Sequence, residues 1–189
     1  IINKDKKLKF FKTHNILGSI NNSNFTDKKN SIGGIYIVRD PRNILTSIQN
    51  HYEFSREKAL NFMLNERKFI YDHHAKNNYS DFQFISSWEK NYQSWIKQKI
   101  FPIKIIKYEE LSNETFLTFK AIVEFIEENT RSKKKFNKEK AKKAIYSTTF
   151  EKMRNIEKND GFLESVLSKN DLKKIPFFHL GPKNNWENI

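Results

Sequence analysis

Between Gly33 and Val38 the chain reads Gly-Gly-Ile-Tyr-Ile-Val, a continuous apolar run. Such a run predicts a strand buried on both faces, as in a parallel sheet. The pattern then changes period. Asp40 is a natural N-cap, Pro41 suits the first helical position, and Ile44, Leu45 and Ile48 recur at helical spacing. Phe101 to Tyr108 is a second strong strand. It leads into Ser112–Glu128, where Phe116, Phe119, Ile122, Val123 and Ile126 share one helical face.

Weaker patterns fill the rest. Leu8–His14 reads as a short strand ending in polar groups, and Asn21–Ser31 as a turn-rich, mobile loop. Ser55 and Glu57 start a helix carrying Leu60, Met63, Leu64 and Ile70. Across Asp81–Gln98, Phe84, Trp88, Tyr92 and Trp95 lie at near-helical spacing, which predicts core packing. Arg131–Met153 reads as a basic loop and then a helix, and Ile175–Ile189 as irregular. Strand, helix, strand, helix in this order predicts an α/β fold, a parallel sheet flanked by helices. No repeat or linker divides the 189 residues, so one domain is expected.

Composition adds limits. Apolar residues make up 37%, with 17 Phe, enough for a sizeable core. No apolar run approaches the ~20 residues of a membrane span. With no Cys there is no disulfide or thiolate metal site, and a reducing compartment is compatible. The net charge of +13 is compatible with a polyanionic partner, yet the basic residues are scattered, with one dense patch at Arg131–Lys143. Lys and Asn abundance equally describes a solvated surface.

The chemistry gathers after the first strong strand. In a parallel α/β sheet, ligands bind beyond the carboxyl ends of the strands. Arg39 leaves such an end, and the following helix offers free N–H groups and a positive dipole end to an anion. Arg39 can fork onto phosphate oxygens, and Ser47, two turns on, can donate a hydroxyl.

The stretch Ile35–Ser47 resembles the 3′-phosphate-binding motif of the sulfotransferase family, enzymes that use 3′-phosphoadenylyl sulfate (PAPS). The resemblance implies that Arg39 and Ser47 grip the 3′-phosphate. Phe10–Asn15 is similar to the family's Lys-Thr-His segment, which carries the catalytic base to His14 and a supporting cation to Lys12. Ile105–Ile126 resembles a family strand, turn and helix, with a nucleotide-contacting residue at Tyr108. Ser147–Met153 resembles the segment whose Thr and Phe hold adenine, here Thr148 and Phe150. Phe177–Trp186 aligns without gaps on the family's Arg-Lys-Gly-x-x-Gly-Asp-Trp loop, with Gly181 and Trp186 in place. Together these imply a P-loop-NTPase-like sulfotransferase fold and transfer of a sulfuryl group to a hydroxyl or amine of a small molecule, glycan or lipid. They also imply release of adenosine 3′,5′-bisphosphate and a cytoplasmic location. No metal constellation is visible, and His51, His73 and His74 read as surface or cap residues.

Two departures qualify the match. The family's Pro-Lys-Ser-Gly-Thr-Thr type loop for the 5′-phosphosulfate has no counterpart before Lys12, and residue 1 is Ile. The expectation is an N-terminally truncated domain lacking its first strand and that loop, inactive as an isolated segment. The Arg-Lys pair of the last loop is His179–Leu180, so phosphate contact there falls to protonated His179 and to Lys183. Two alternatives stay open: a basic nucleic-acid-binding protein, and a non-catalytic nucleotide-binding remnant. Oligomeric state is not legible.

Overall fold

A computed structural model describes residues 7–71, 82–132 and 135–188. His73, His74 and Asp81 lie outside the described residues. The architecture is α/β. A parallel pair of strands stands at its centre, with helices against it.

Residues 8–14 form no ladder, contrary to the strand expected there. Side chains replace a backbone partner. Gln83 Oε1 accepts the His14 N–H at 2.6 Å, and Asn15 Oδ1 accepts the Phe84 N–H at 2.8 Å. The predicted loop at 21–31 begins inside a small hairpin, β1 (Ser19–Ile20) with β2 (Ser23–Asn24). Its two turn residues, Asn21 and Asn22, both have positive φ, 49° and 62°, which such a tight turn demands and Asn tolerates.

β3 (Gly34–Val38) and β6 (Ile103–Lys107) pair in parallel, Gly34 opposite Ile103 and Val38 opposite Lys107. Between them lie α1 (Pro41–Tyr52), α2 (Arg56–Leu64), the ladder β4 (Phe69–Ile70) with β5 (Gln83–Phe84), and α3 (Trp88–Ile96). α3 covers one face of β3: the Trp95 ring stacks on Tyr36 at 5.9 Å. At Gly34 the approach is close: a Cβ would come within 2.7 Å of the end of the Ile103 side chain, which would have to shift. Burial on both faces is not achieved. Ile37 is 54% and Ile105 42% exposed, while Ile106, beside α5, is 3% exposed. Each face has a helix over one strand and leaves part of its neighbour open among the described residues.

α1 starts as predicted, with Asp40 accepting the Arg42 N–H and Pro41 at its first position. The Arg42 guanidinium also bonds Asp40, holding this carboxyl below the usual range. The Asp40 N–H donates to Glu109 Oε1 at 3.2 Å, tying the ends of the two strands together. α2 is capped by Ser55 and buries Ala59 and Met63, but Leu60 and Leu64 are exposed. Asn65 ends it by accepting the Arg67 N–H, which sends Ile70 into β4 rather than the helix. Phe84 is likewise on a strand, stacked on Phe69 at 4.8 Å, so the aromatic stripe is shared by β5 and α3.

The helix expected from Ser112 begins earlier and is broken. α4 (Tyr108–Asn113) stops at Glu114, and α5 (Thr115–Thr130) restarts. The basic stretch holds two helices, α6 (Lys138–Ser147) and α7 (Phe150–Asp160). The tail expected to be irregular contains two 3₁₀ turns, Gly181–Lys183 and Trp186–Asn188, the second docked on α1.

Candidate functional site

Arg39 emerges where β3 ends, and the strand's geometry aims it over β6's end. Its guanidinium stacks on the Tyr108 ring, 4.1 Å from the centroid. Nη2 donates to the carbonyls of Gly181 and Asn184, both at 3.1 Å. Nε is buried and has no partner. A buried donor without an acceptor is costly, and Nε is such a donor. Beside it, at the carboxyl ends of both strands, opens a cleft of about 650 Å³. Its walls include Arg39, Arg42, Lys107, Tyr108, Trp88 and Trp186. Arg42 lies over the Trp186 ring at 3.7 Å.

Ser47, farther along α1, reaches Asn184, the residue whose carbonyl Arg39 also binds. Its hydroxyl donates to Asn43 O at 3.2 Å and accepts from Asn184 Nδ2 at 3.0 Å. Asn184 also donates to Asn43 O at 2.8 Å and accepts from Thr46 Oγ1 at 2.5 Å. Asn43 Oδ1 accepts the Trp186 N–H at 2.7 Å. Arg39 and Ser47 therefore meet on one residue of the terminal loop.

Phe150, the first residue of α7, closes on Gly181. Gly181 has φ +55°, and a Cβ there would lie 2.2 Å from the Phe150 ring. No other residue fits this approach. Glu157 holds the loop from behind. It accepts the Phe177 and Phe178 N–H groups at 2.7 and 2.9 Å and a bond from Ser165. These hydrogen bonds outweigh its desolvation and lower its pKa. Thr148 turns back, donating to Ala144 O at 2.9 Å in the last turn of α6. His179 and Lys183 are exposed on the rim of the loop.

His14 and Lys12 form a separate group. Lys12 Nζ lies 2.6 Å from both carboxylate oxygens of Glu164. His14 is exposed, yet its pKa is lowered from 6.5, first by desolvation, then by Lys12, with Glu164 opposing. The imidazole is therefore neutral at pH 7 and able to accept a proton. Asn91 fixes its backbone, donating to His14 O at 3.0 Å while accepting from the Tyr36 hydroxyl at 3.0 Å. The Tyr36 phenol, buried and next to Tyr92, is pushed up to about 12 and stays a donor. His51, at the end of α1, is also lowered by burial and also faces Glu164.

The structure thus joins Arg39, Ser47, Tyr108, Gly181 and Phe150 through α1 and the terminal loop. It leaves Thr148, His179 and Lys183 pointing elsewhere or unengaged, and links Lys12 with His14 only. Asn43, Asn184, Glu157 and Glu164 carry this framework and were not singled out from the sequence. The gapless alignment of the last loop puts Asn184 on a Gly of the family pattern, so a resemblance read residue by residue had no side chain to transfer.

Residues 2–189 match the family model described as "Sulfotransferase domain". The chain belongs to the sulfotransferase family. Among solved structures, mouse sulfotransferase SULT7A1 complexed with PAP is similar, with a TM-score of 0.51 and 20% identity. The match covers 82% of this chain and 50% of the mouse chain, so the chain spans about half of that enzyme's length. At this identity the likeness establishes the sulfotransferase fold. No curated protein matches. Among the described residues no helix is long and apolar enough to cross a membrane, and no group of three or more His, Asp or Glu is placed to hold a metal ion.

The residues present fit a phosphorylated nucleotide. Arg39 carries the orphaned Nε, Ser47 a hydroxyl, Tyr108 and Phe150 aromatic faces. The fit is thinner at the last loop, where Leu180 offers no charge.

Proposed function

We propose that this sulfotransferase-family chain contributes the 3′-nucleotide side of a PAPS-dependent enzyme acting on a hydroxyl or amine acceptor. The observation that carries the reading is the convergence of Arg39 and Ser47 on Asn184 at the carboxyl end of a parallel strand pair. In this reading the 189 residues belong to one domain. The acceptor is a small molecule, glycan or lipid, and the location is cytoplasmic, as the placement of the Lys-Thr-His segment suggests.

When bound, PAPS supplies an activated sulfuryl group that passes to the acceptor and leaves adenosine 3′,5′-bisphosphate. Arg39 and Ser47 hold the 3′-phosphate, and Tyr108 backs the guanidinium. Phe150 offers adenine a stacking face, worth about 1–3 kcal/mol by analogy with base–aromatic contacts. Thr148 contacts the same base once its hydroxyl leaves Ala144. His179, when protonated, and Lys183 add charge at the rim. His14 takes the acceptor's proton, a role worth about 10²–10⁴-fold in rate. Lys12 neutralises charge developing around the sulfuryl, exchanging Glu164 for it.

The test is thermal unfolding of the chain with and without adenosine 3′,5′-bisphosphate. Ligand at a hundred times Kd stabilises by about 2.7 kcal/mol. A shift in the native chain that disappears in Arg39→Ala supports the reading. No nucleotide shift, together with steeply salt-dependent duplex binding, replaces it with a nucleic-acid role.

A further inference from the structure

We infer that Asn184 is the positioning residue of the anion grip, setting Arg39 and Ser47 in register; this rests on the reading that those two side chains hold the 3′-phosphate. Asn184 is 4% exposed and uses every polar atom of its side chain. Its orientation is decided by Asn43. At 2.8 Å from the Asn43 carbonyl only the amide nitrogen is tolerated, since an oxygen there would face another oxygen. The Asn184 Oδ1 atom then falls on the Thr46 hydroxyl.

The consequence reaches Ser47. In a helix a serine hydroxyl tends to donate back to the carbonyl four residues earlier, here Asn43 O at 3.2 Å. Asn184 already supplies that carbonyl with a shorter, better donor at 2.8 Å. Its second N–H occupies a Ser47 lone pair at 3.0 Å. The Ser47 proton therefore keeps only a long local bond at 3.2 Å, on a carbonyl shared with a stronger donor, and an outside acceptor has little to displace. At the same time the Asn184 carbonyl, with that of Gly181, fixes Nη2 of Arg39 and leaves Nε uncommitted. Asn184 thus touches both donors, Ser47 through its buried side-chain amide and Arg39 through its backbone carbonyl, and so sets two groups eight residues apart against each other.

Calorimetric titration of the 189-residue chain with adenosine 3′,5′-bisphosphate and with adenosine 5′-monophosphate tests this. The second ligand lacks the 3′-phosphate. The native chain prefers the bisphosphate. Asn184→Ala is expected to weaken bisphosphate binding by about tenfold, one charge-assisted hydrogen bond's worth, and to leave monophosphate binding within about twofold. In a Ser47→Ala background the same change adds less, because the two residues act together. Thr46→Val, which removes the bond to Oδ1 and a local bond to the Asn43 carbonyl but leaves Asn184 in place, is expected to give a smaller loss with the same selectivity, and it decides the matter if Asn184→Ala does not fold. Equal loss for both nucleotides, or an undiminished preference in both variants, overturns the inference. A native chain without preference for the bisphosphate instead overturns the reading beneath it.

Discussion

Around Arg39, side chains from the end of β3, from α1, α4 and α7 and from the terminal loop are committed to one another through a buried amide, two carbonyls, an aromatic face and a glycine whose Cβ would strike Phe150. Around His14, the chain offers a backbone fixed by Gln83 and Asn91 and one exposed ion pair, Lys12 with Glu164. The first region is preorganised: its donors are in place before any ligand arrives, so little ordering cost is left for binding. The second is adjustable. Exposed ion pairs contribute roughly 0–1 kcal/mol, so Lys12 can change partner at small cost. On the proposed reading, the nucleotide falls to the rigid half and the acceptor to the softer one.

The sharpest break in that contrast is Arg39→Ala. It removes two bonds from a charged donor, and adenosine 3′,5′-bisphosphate affinity by calorimetry is expected to fall by at least about 100-fold. His14→Ala should leave the same affinity within about twofold. A comparable loss from both would erase the distinction. Next comes Gly181→Ala, which combines positive φ with a clash on Phe150. Urea unfolding is expected to show a loss above about 2 kcal/mol, partly restored by Phe150→Leu. Glu157→Gln removes one charge-assisted acceptor from the loop's backbone and should cost about 1–2 kcal/mol in the same assay.

The smallest effects concern pH. Burial depresses His14 and His51 below 6.5. Between 6.5 and those lowered values the unfolded chain binds more protons than the native one, so stability falls as pH drops through this window. Melting temperatures recorded from neutral pH downward should decline there, and less steeply in His51→Ala. By NMR titration, Glu164→Gln should lower the His14 pKa further and Lys12→Ala should raise it, because the two charges act on it with opposite sign.

The strong periodic segments were legible: β3, the Asp40 cap with Pro41, and β6 lie where apolar pattern and capping chemistry put them. Errors arose where a polar side chain overrides the pattern. Asn65 closes α2 before Ile70, and Asn15 with Gln83 supplants a ladder at residues 8–14. Burial of β3 on both faces failed because a residue's environment depends on which helix covers it, which apolar runs do not encode. In the site, the spacing of Arg39 and Ser47 was visible in one dimension. Asn184 was not, since a lone Asn in a polar loop carries no pattern and its partners lie 137 to 145 positions away.

The pairing of β3 with β6 joins positions roughly seventy residues apart along the chain. Closing so long a segment is entropically slow compared with forming α1, whose cap and proline act locally. During refolding the cluster around Asn184 therefore matures in two stages: Ser47 is set with its helix, and Arg39 gains its support from Tyr108 only after the distant strand arrives.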